Sequence, residues 1–457
     1  MDNVAAVVLA AGQGKRMHSS IPKVLHRIAG APLVRHVLDA VEEAGIKEII
    51  VVIGQGAEMV RETLGTDYTY ALQEKQLGTG DAVLNALPYL SADCRDVLVV
   101  CGDTPLLTAD TLVKVIRAQH NTGSAAAVLT SIFDDPKGYG RIIRDQDGFV
   151  DAIIEDCDAT AEQKEIKEIN TGTYAFTKKA LEDTIHRLNP DNKQGEYYLT
   201  DCIHLLRQDG QLVTAVVAPA QETKGINDRS QLAVAEKLLR QRECRRLMEA
   251  GVTILDPATT YIDKGVRVGR DTVIYPFTFL EGKTEVGPRC TIGPGSRLID
   301  ARIGEGVTLQ YSVVVETTIG DHCQIGPYAY LRPGNKLAAH VKVGDFVELK
   351  KATVGSGSKI PHLSYVGDTI VGEGVNIGAG TITCNYDGVK KYQTVIEDGV
   401  FVGSNTNLVA PVRVGKDAVI GAGSTITKDV PAGSLALERN KQTIIAGWKE
   451  KKKRKGD

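Results

Sequence analysis

The chain has 457 residues, 42% hydrophobic and 24% charged, with 54 Lys and Arg against 57 Asp and Glu for a formal net charge of −3. That length exceeds one ordinary core and predicts two or more domains. The balanced charge gives no footprint for nucleic acid or anionic lipid, and the apolar start of the chain is too short to span a bilayer, so neither nucleic-acid binding nor membrane insertion is expected. Eight scattered cysteines without a CxxC pair suit reduced thiols and predict a cytoplasmic protein.

The first half begins with VAAVVLAA, followed by EIIVVIG and VLVVCGD, with helical stretches such as LVRHVLDAVEEAG between them. Short buried-strand runs alternating with helices predict a mostly parallel sheet covered on both faces, a Rossmann-like α/β arrangement. Gly12 and Gly14 bracket a turn directly after the first strand, at the carboxyl edge where open α/β sheets bind ligands. Glycines there let backbone N–H groups face a phosphate, and Arg16 and Lys23 are placed to neutralise a polyphosphate. The segment is neither a Walker loop nor a GxGxxG turn.

LAAGQGKRM followed by PKVL resembles the signature of the sugar-1-phosphate nucleotidyltransferases, and QLGTGDA, CGDTPLL and EINTGTY resemble three further segments of that family in the same order. The resemblance implies attack of a sugar 1-phosphate on the α-phosphorus of a nucleoside triphosphate, here UTP. Such a reaction rests on charge neutralisation and in-line positioning rather than on a protein nucleophile. It implies Mg2+, with Asp103 and Asn227 as ligands. Leu9, Ala10, Ala11, Gly12, Lys23, Gln73, Gly78 and Thr79 would then hold nucleotide, with Arg16 beside them. Gly140, Glu155 and Asn170 would hold sugar. Without the motif, Asp103 would read as a solvated turn or a helix cap. Cys101 departs from the tyrosine that some relatives carry.

Between the halves, RSQLAVAEKLLRQRECRRLMEAG spaces Leu232, Ala235, Leu238, Leu239 and Leu247 among charges and predicts one amphipathic helix holding the domains apart. The expected division is 1–230, a helical linker 231–251, and 252–457. Of the 47 glycines, 29 fall after residue 230. From Val268 an aliphatic residue recurs at every sixth position through Ile274, Leu280, Val286, Ile292 and Leu298, and again from Val402 to Ile426, often followed by glycine. A six-residue period fits a coil of short flat faces joined by tight corners, each aliphatic side chain pointing inward and each glycine helping to turn a corner. LRPGNKLAAH (331–340) and AGTITCNYDGVKKYQT (379–394) are expected to interrupt the rhythm and project as loops. Between them stand His362, able to accept a proton near neutral pH, and Tyr365, with Arg332, Lys350, Asn376 and Lys391 nearby as a group suited to an anionic sugar phosphate.

This combination resembles the acetyltransferase domain of the bifunctional N-acetylglucosamine-1-phosphate uridyltransferase / glucosamine-1-phosphate acetyltransferase family. The resemblance implies a left-handed parallel β-helix, an exception to right-handed crossovers, assembled as a homotrimer that binds acetyl-CoA between coils. His362 would be the base, and Arg332, Lys350, Tyr365 and Asn376 would bind glucosamine 1-phosphate. Ala379, Asn385, Tyr386, Ser404, Ala422 and Arg439 would contact acetyl-CoA. KIPHLSY departs from the glycine-containing form that the family shows before this histidine. Three other readings stand beside this one: a solenoid that is only a structural or regulatory module, a zinc hydratase sharing His322, His340 and His362 between subunits, and a binding protein that senses nucleotide sugars. The basic tail KEKKKRKGD reads as a solvated end.

Overall fold

The computed structural model describes Met1 and residues 3–453, without the side chains of 450, 451 and 453, so the end of the basic tail lies outside the described residues. Two compact units divide the chain, Met1–Leu239 and Arg240–Asp457.

The first unit is built on nine strands: β1 (Val4–Leu9), β2 (Glu48–Ile53), β3 (Thr69–Leu72), β4 (Asp96–Cys101), β5 (Ala126–Ile132), β6 (Arg141–Arg144), β7 (Val150–Ile154), β8 (Glu168–Thr177) and β9 (Val213–Ala218). Their order is β9-β5-β8-β4-β1-β2-β3, with β6 pairing β8 and β7 pairing β6. β1 shows why the sheet is buried on both faces. Ala5 and Val7 enter one apolar layer, while Val4, Ala6 and Val8 enter the other, as the two-residue side-chain period requires.

The expectation of a mostly parallel sheet needs one refinement, because β8 runs antiparallel to both β4 and β5. Local apolar pattern does not encode strand direction, so EINTGTY carried no sign of the reversal. The register of β8 against β5 breaks between Asn170 and Tyr174, and Gly172 within the break has φ +78°. This bulge re-aims the strand so that Gly172 lies against Cys101.

A 21-residue helix, Arg229–Glu249, runs across the division. In the first unit Ala235 and Leu239 bury against Ile28, Leu33, Leu106 and Ile226. In the second, Cys244 and Leu247 join the solenoid core beside Val252 and Ile254.

The second unit is a parallel β-helix of three sheets, with 11, 10 and 9 strands. One ladder shows the construction: Ile274 pairs with Ile292, Ile292 with Leu309 and Leu309 with Ile325, so one coil takes 16 to 18 residues. All four point inward and are at most 2% exposed. Buried hydroxyls satisfy carbonyls at the corners, as Thr278 Oγ1 does with Tyr275 O at 2.8 Å and Ser358 Oγ with Gly372 O at 2.7 Å. Such pairing removes the cost of polar backbone inside the coil.

The glycines after the inward aliphatics do something other than turn the chain. A Cβ on Gly269 would stand 2.4 Å from Pro288 N, one on Gly287 2.5 Å from Gly304 O, and one on Gly355 2.4 Å from Gly372 C. None of these three has positive φ. Glycine is therefore required because successive coils touch backbone to backbone at this corner.

Of the two expected interruptions, LRPGNKLAAH is not one. Leu331 and Leu337 are inward residues, 0% and 4% exposed, and they pair in register with Leu349 and Val354. Leucine fills the place of Ile or Val, so a missing "VG" pair was mistaken for a missing turn. In AGTITCNYDGVKKYQT the coil does open: Ile377 pairs with Val402, 25 residues on, and Tyr386 bridges Lys391 in a hairpin outside the ladder.

Replacing Gly287 by Ala should destabilise the second unit by roughly 1–3 kcal/mol, the usual cost of forcing a methyl group into a closed contact. Denaturant titration of the variant against the parent protein measures it.

Candidate active sites

The carboxyl ends of β1 to β4 open on a cavity of about 960 Å3, lined among others by Leu9, Ala11, Gly12, Lys23, Gln73, Gly78, Thr79, Cys101 and Asp103. A Cβ on Gly12 would meet nothing within 4 Å, so the backbone there borders open space. Gly14, with φ +61°, lets the turn close on Lys23, whose Cβ would lie 2.5 Å from an added methyl. Gln73 donates to Gly78 O at 3.0 Å and to Asp81 Oδ2 at 2.7 Å. Thr79 Oγ1 accepts the Leu199 amide at 3.1 Å. Ala10 is buried and its amide is used by Val52 O at 2.8 Å. Ala11 O accepts from Gln76 Nε2 at 2.9 Å. Arg16 is exposed on the turn Lys15–Met17, and its charge acts on the Tyr139 hydroxyl.

At the floor, the Lys23 ammonium makes an ion pair with Asp103 and a 3.2 Å hydrogen bond to Asn227 Oδ1. One carboxylate and one amide oxygen thus already converge on a single positive charge, which is the donor set a hard divalent cation uses. By this measure the residues fit a magnesium ion. Tyr139 stands in the same neighbourhood, its phenol raised by burial and by the Asp103 charge. Nothing in its sequence context singled it out.

On the sugar side, Gly140 O accepts the Asn170 amide at 2.8 Å, and a Cβ on Gly140 would lie 3.5 Å from Glu155 Oε2. Gly140, Glu155 and Asn170 are therefore together. Asn170 Nδ2 donates to Tyr174 Oη at 2.6 Å. Burial pushes the Glu155 carboxyl above its ordinary value, against a hydrogen bond from Thr200. Burial also pushes the Cys101 thiol up to about 12, helped by the Asp103 charge. Cys101 is thus a protonated wall residue under Gly172, where a larger side chain meets the bulge.

In the β-helix, the strand Lys359–His362 pairs with Lys342–Asp345 so that His362 stands directly over Asp345, and the two side chains are hydrogen-bonded through His362 Nδ1. That bond is the main reason the Asp345 carboxyl lies below its usual range. Asn385 Nδ2 reaches Asp368 Oδ2 at 2.5 Å and Tyr365 Oη at 3.5 Å. Arg332 Nη1 donates to Glu348 Oε1 at 3.0 Å, and Glu348 pairs in register with Tyr365. Lys391, on the projecting hairpin, has its ammonium proton loosened by Lys350 beside it. The Asp368 charge offsets that repulsion only in part, so the two ammonium groups leave local positive charge suited to a phosphate. Asn376 pairs with Lys359 of the His362 strand. The departure KIPHLSY costs no regularity, because Gly344 leaves room for the Pro361 carbonyl.

Ala379, Ser404 and Ala422 form a column along one corner. Ala379 O accepts the Asn405 amide at 2.7 Å, Ser404 O the Gly423 amide at 2.8 Å, and Ala422 O the Arg439 guanidinium at 2.9 Å. Tyr386 is exposed and donates to Gly388 O at 2.6 Å. His322 and His340 stack on each other with ring centroids 5.3 Å apart, and among the described residues no three His, Cys, Asp or Glu side chains gather as a metal site.

Asp345, Glu348 and Asp368 were not singled out from sequence, yet each lies about one coil from a residue that was. Counting one coil length back from His362 reaches Asp345.

Among known families, that described as the MobA-like NTP transferase domain matches residues 6–250, and bacterial transferase hexapeptide repeats match 393–428. The chain is 56% identical over 445 residues to the "Bifunctional protein GlmU" of Heliobacterium modesticaldum, covering 97% of each chain. It is 56% identical over 454 residues to that of Pelotomaculum thermopropionicum, covering 99% of each, and 51% identical over 456 residues to that of Caldanaerobacter subterraneus, covering 100% of each.

Glu155 offers a pH test of its burial. Its folded value lies above the ordinary 4.5, so the folded state holds a proton more tightly than the unfolded state and stability falls as pH rises through that window. Glu155→Gln should therefore melt above the parent protein at neutral pH, the gap closing as pH drops toward the ordinary carboxylate range. Thermal denaturation across pH checks this.

Proposed function

This chain belongs to the bifunctional GlmU family, and on that premise we propose how its two units divide the work. The enzyme makes UDP-N-acetylglucosamine in two steps: acetyl transfer from acetyl-CoA to glucosamine 1-phosphate, then uridylyl transfer from UTP to N-acetylglucosamine 1-phosphate with release of pyrophosphate. The β-helix carries the first step and the α/β unit the second, so chain order is opposite to reaction order. The product serves as a precursor for bacterial peptidoglycan and lipopolysaccharide.

The His362–Asp345 pair, set among Tyr365, Asn385, Lys350 and Lys391, carries this reading. A solenoid that only spaces or regulates has no use for an oriented base beside a cationic pair. Arg332, Lys350 and Lys391 hold the phosphate of the acceptor, with Tyr365 and Asn376 on the sugar. His362 takes the proton of the attacking amine. The column of Ala379, Ser404 and Ala422, flanked by Asn385, Tyr386 and Arg439, receives acetyl-CoA.

In the α/β unit, the open backbone at Gly12 and the charges of Arg16 and Lys23 receive the triphosphate, with Leu9 to Ala11, Gln73, Gly78 and Thr79 around the nucleoside. Gly140, Glu155 and Asn170 orient the sugar so that its phosphate oxygen faces the α-phosphorus. Asp103 and Asn227 would hold Mg2+, which when bound supplies charge neutralisation and alignment of the phosphates. Uracil selection falls to the QLGTGDA loop.

The protein works in the cytoplasm as a homotrimer formed through a left-handed β-helix. Among the described residues no helix is long and apolar enough to cross a membrane.

Separate assays of the two steps test the division. His362→Ala should lower acetyl transfer by about 100-fold or more and leave pyrophosphate release from UTP within about twofold. Asp103→Ala should do the reverse. Loss of both activities in either variant, or retention of acetyl transfer in His362→Ala, overturns the assignment.

A further inference from the structure

We propose that Asp345 is a positioning residue for acetyl transfer, holding the His362 imidazole with its proton on Nδ1 and its lone pair on Nε2. This rests on the assignment of His362 as the base. Asp345 and His362 lie on paired strands of adjacent coils and are matched residue for residue in the parallel register, so backbone hydrogen bonding, not side-chain chance, places the carboxylate under the ring. Asp345 joins His362 only through Nδ1. A carboxylate is acceptor-only, and an imidazole nitrogen that meets one must carry the proton. The other nitrogen is then committed to the acceptor role that a general base requires.

The surroundings argue for the same division. His362 and Asp345 remain 55% and 36% exposed at their side chains, so water competes for the ring, and among the described residues Asp345 is its one hydrogen-bond partner. The neighbouring polar groups have other partners. Tyr365 is engaged by Asn385, Asp368 holds that same Asn385, and Glu348 holds Arg332. Ser364 donates to the His362 carbonyl rather than to its ring. An unpaired neutral imidazole in water favours the proton on Nε2, which would present a donor to the amine and block base catalysis. In the step itself, the amine nitrogen of glucosamine 1-phosphate forms its bond to the thioester carbon as His362 Nε2 accepts the amine proton. The C–S bond then breaks, and the coenzyme A sulfur leaves and takes that proton from the imidazolium. Asp345 touches neither substrate and acts only through the ring.

The test uses the full-length protein with three substitutions, Asp345→Ala, Asp345→Asn and His362→Ala. Asp345→Ala should lower kcat for acetyl transfer by roughly 10- to 100-fold, the range seen when partners that orient a functional imidazole are removed, with KM for glucosamine 1-phosphate changed by less than about threefold. Asp345→Asn keeps an acceptor oxygen and should fall between Asp345→Ala and the parent. In long-range proton–nitrogen NMR of histidine-labelled protein, the His362 signals, identified by their loss in His362→Ala, should report Nδ1–H in the parent and shift toward Nε2–H in Asp345→Ala. Uridylyl transfer should be unchanged in all three. An inactive His362→Ala with a fully active Asp345→Ala, or a loss in Asp345→Ala confined to KM, overturns the role of Asp345 and leaves the base assignment standing. An active His362→Ala overturns both.

Discussion

Backbone contact between successive coils, close enough at one corner that a single methyl group has no room, sets the geometry of the second half of this protein. Gly287 and Gly355 mark that contact. With the spacing fixed there, the parallel ladders must run in register, and a residue on one strand has a defined partner one coil away. The site in the β-helix follows from that rule: His362 over Asp345 and Tyr365 over Glu348 are ladder neighbours before they are chemical neighbours. The first unit uses the same principle in another form. Its parallel strands end together, so Leu9 and the Cys101–Asp103 turn reach one cavity from distant parts of the chain.

Electrostatics then divides the two sites. In the α/β unit the Asp103 carboxylate is matched by the Lys23 ammonium at the floor of the cavity, an arrangement suited to exchanging one cation for others around a polyphosphate. In the β-helix Lys350 and Lys391 stand close enough to repel each other, and the Asp368 carboxylate offsets that repulsion only in part.

Much of this was legible in the amino-acid pattern, because the signals were local. VAAVVL reads as a strand buried on both sides, and the six-residue recurrence of aliphatics reads as a solenoid. What was missed was non-local. The direction of β8 depends on what it pairs with, not on EINTGTY itself, and the Asp345 partner of His362 appears only when one coil length is counted back from that position. LRPGNKLAAH misled for a different reason: Leu331 and Leu337 preserve the inward period, while Pro and Gly beside them imitate a loop. Tyr139 carried no pattern at all, and only the folded chain brings it to Asp103.

Outside the opened coil after Ile377, successive coils such as those from Ile274 to Ile325 take 18, 17 and 16 residues, and this small inequality bears on how such a fold tolerates change in length. Inward residues stand six apart at Ile292 and Leu298 but five apart at Leu298 and Ile303, and all three are buried. A corner can therefore lose one residue while the next flat face resumes in phase. The fold counts faces rather than residues, so a slip is erased at the next bend instead of being carried along the stack.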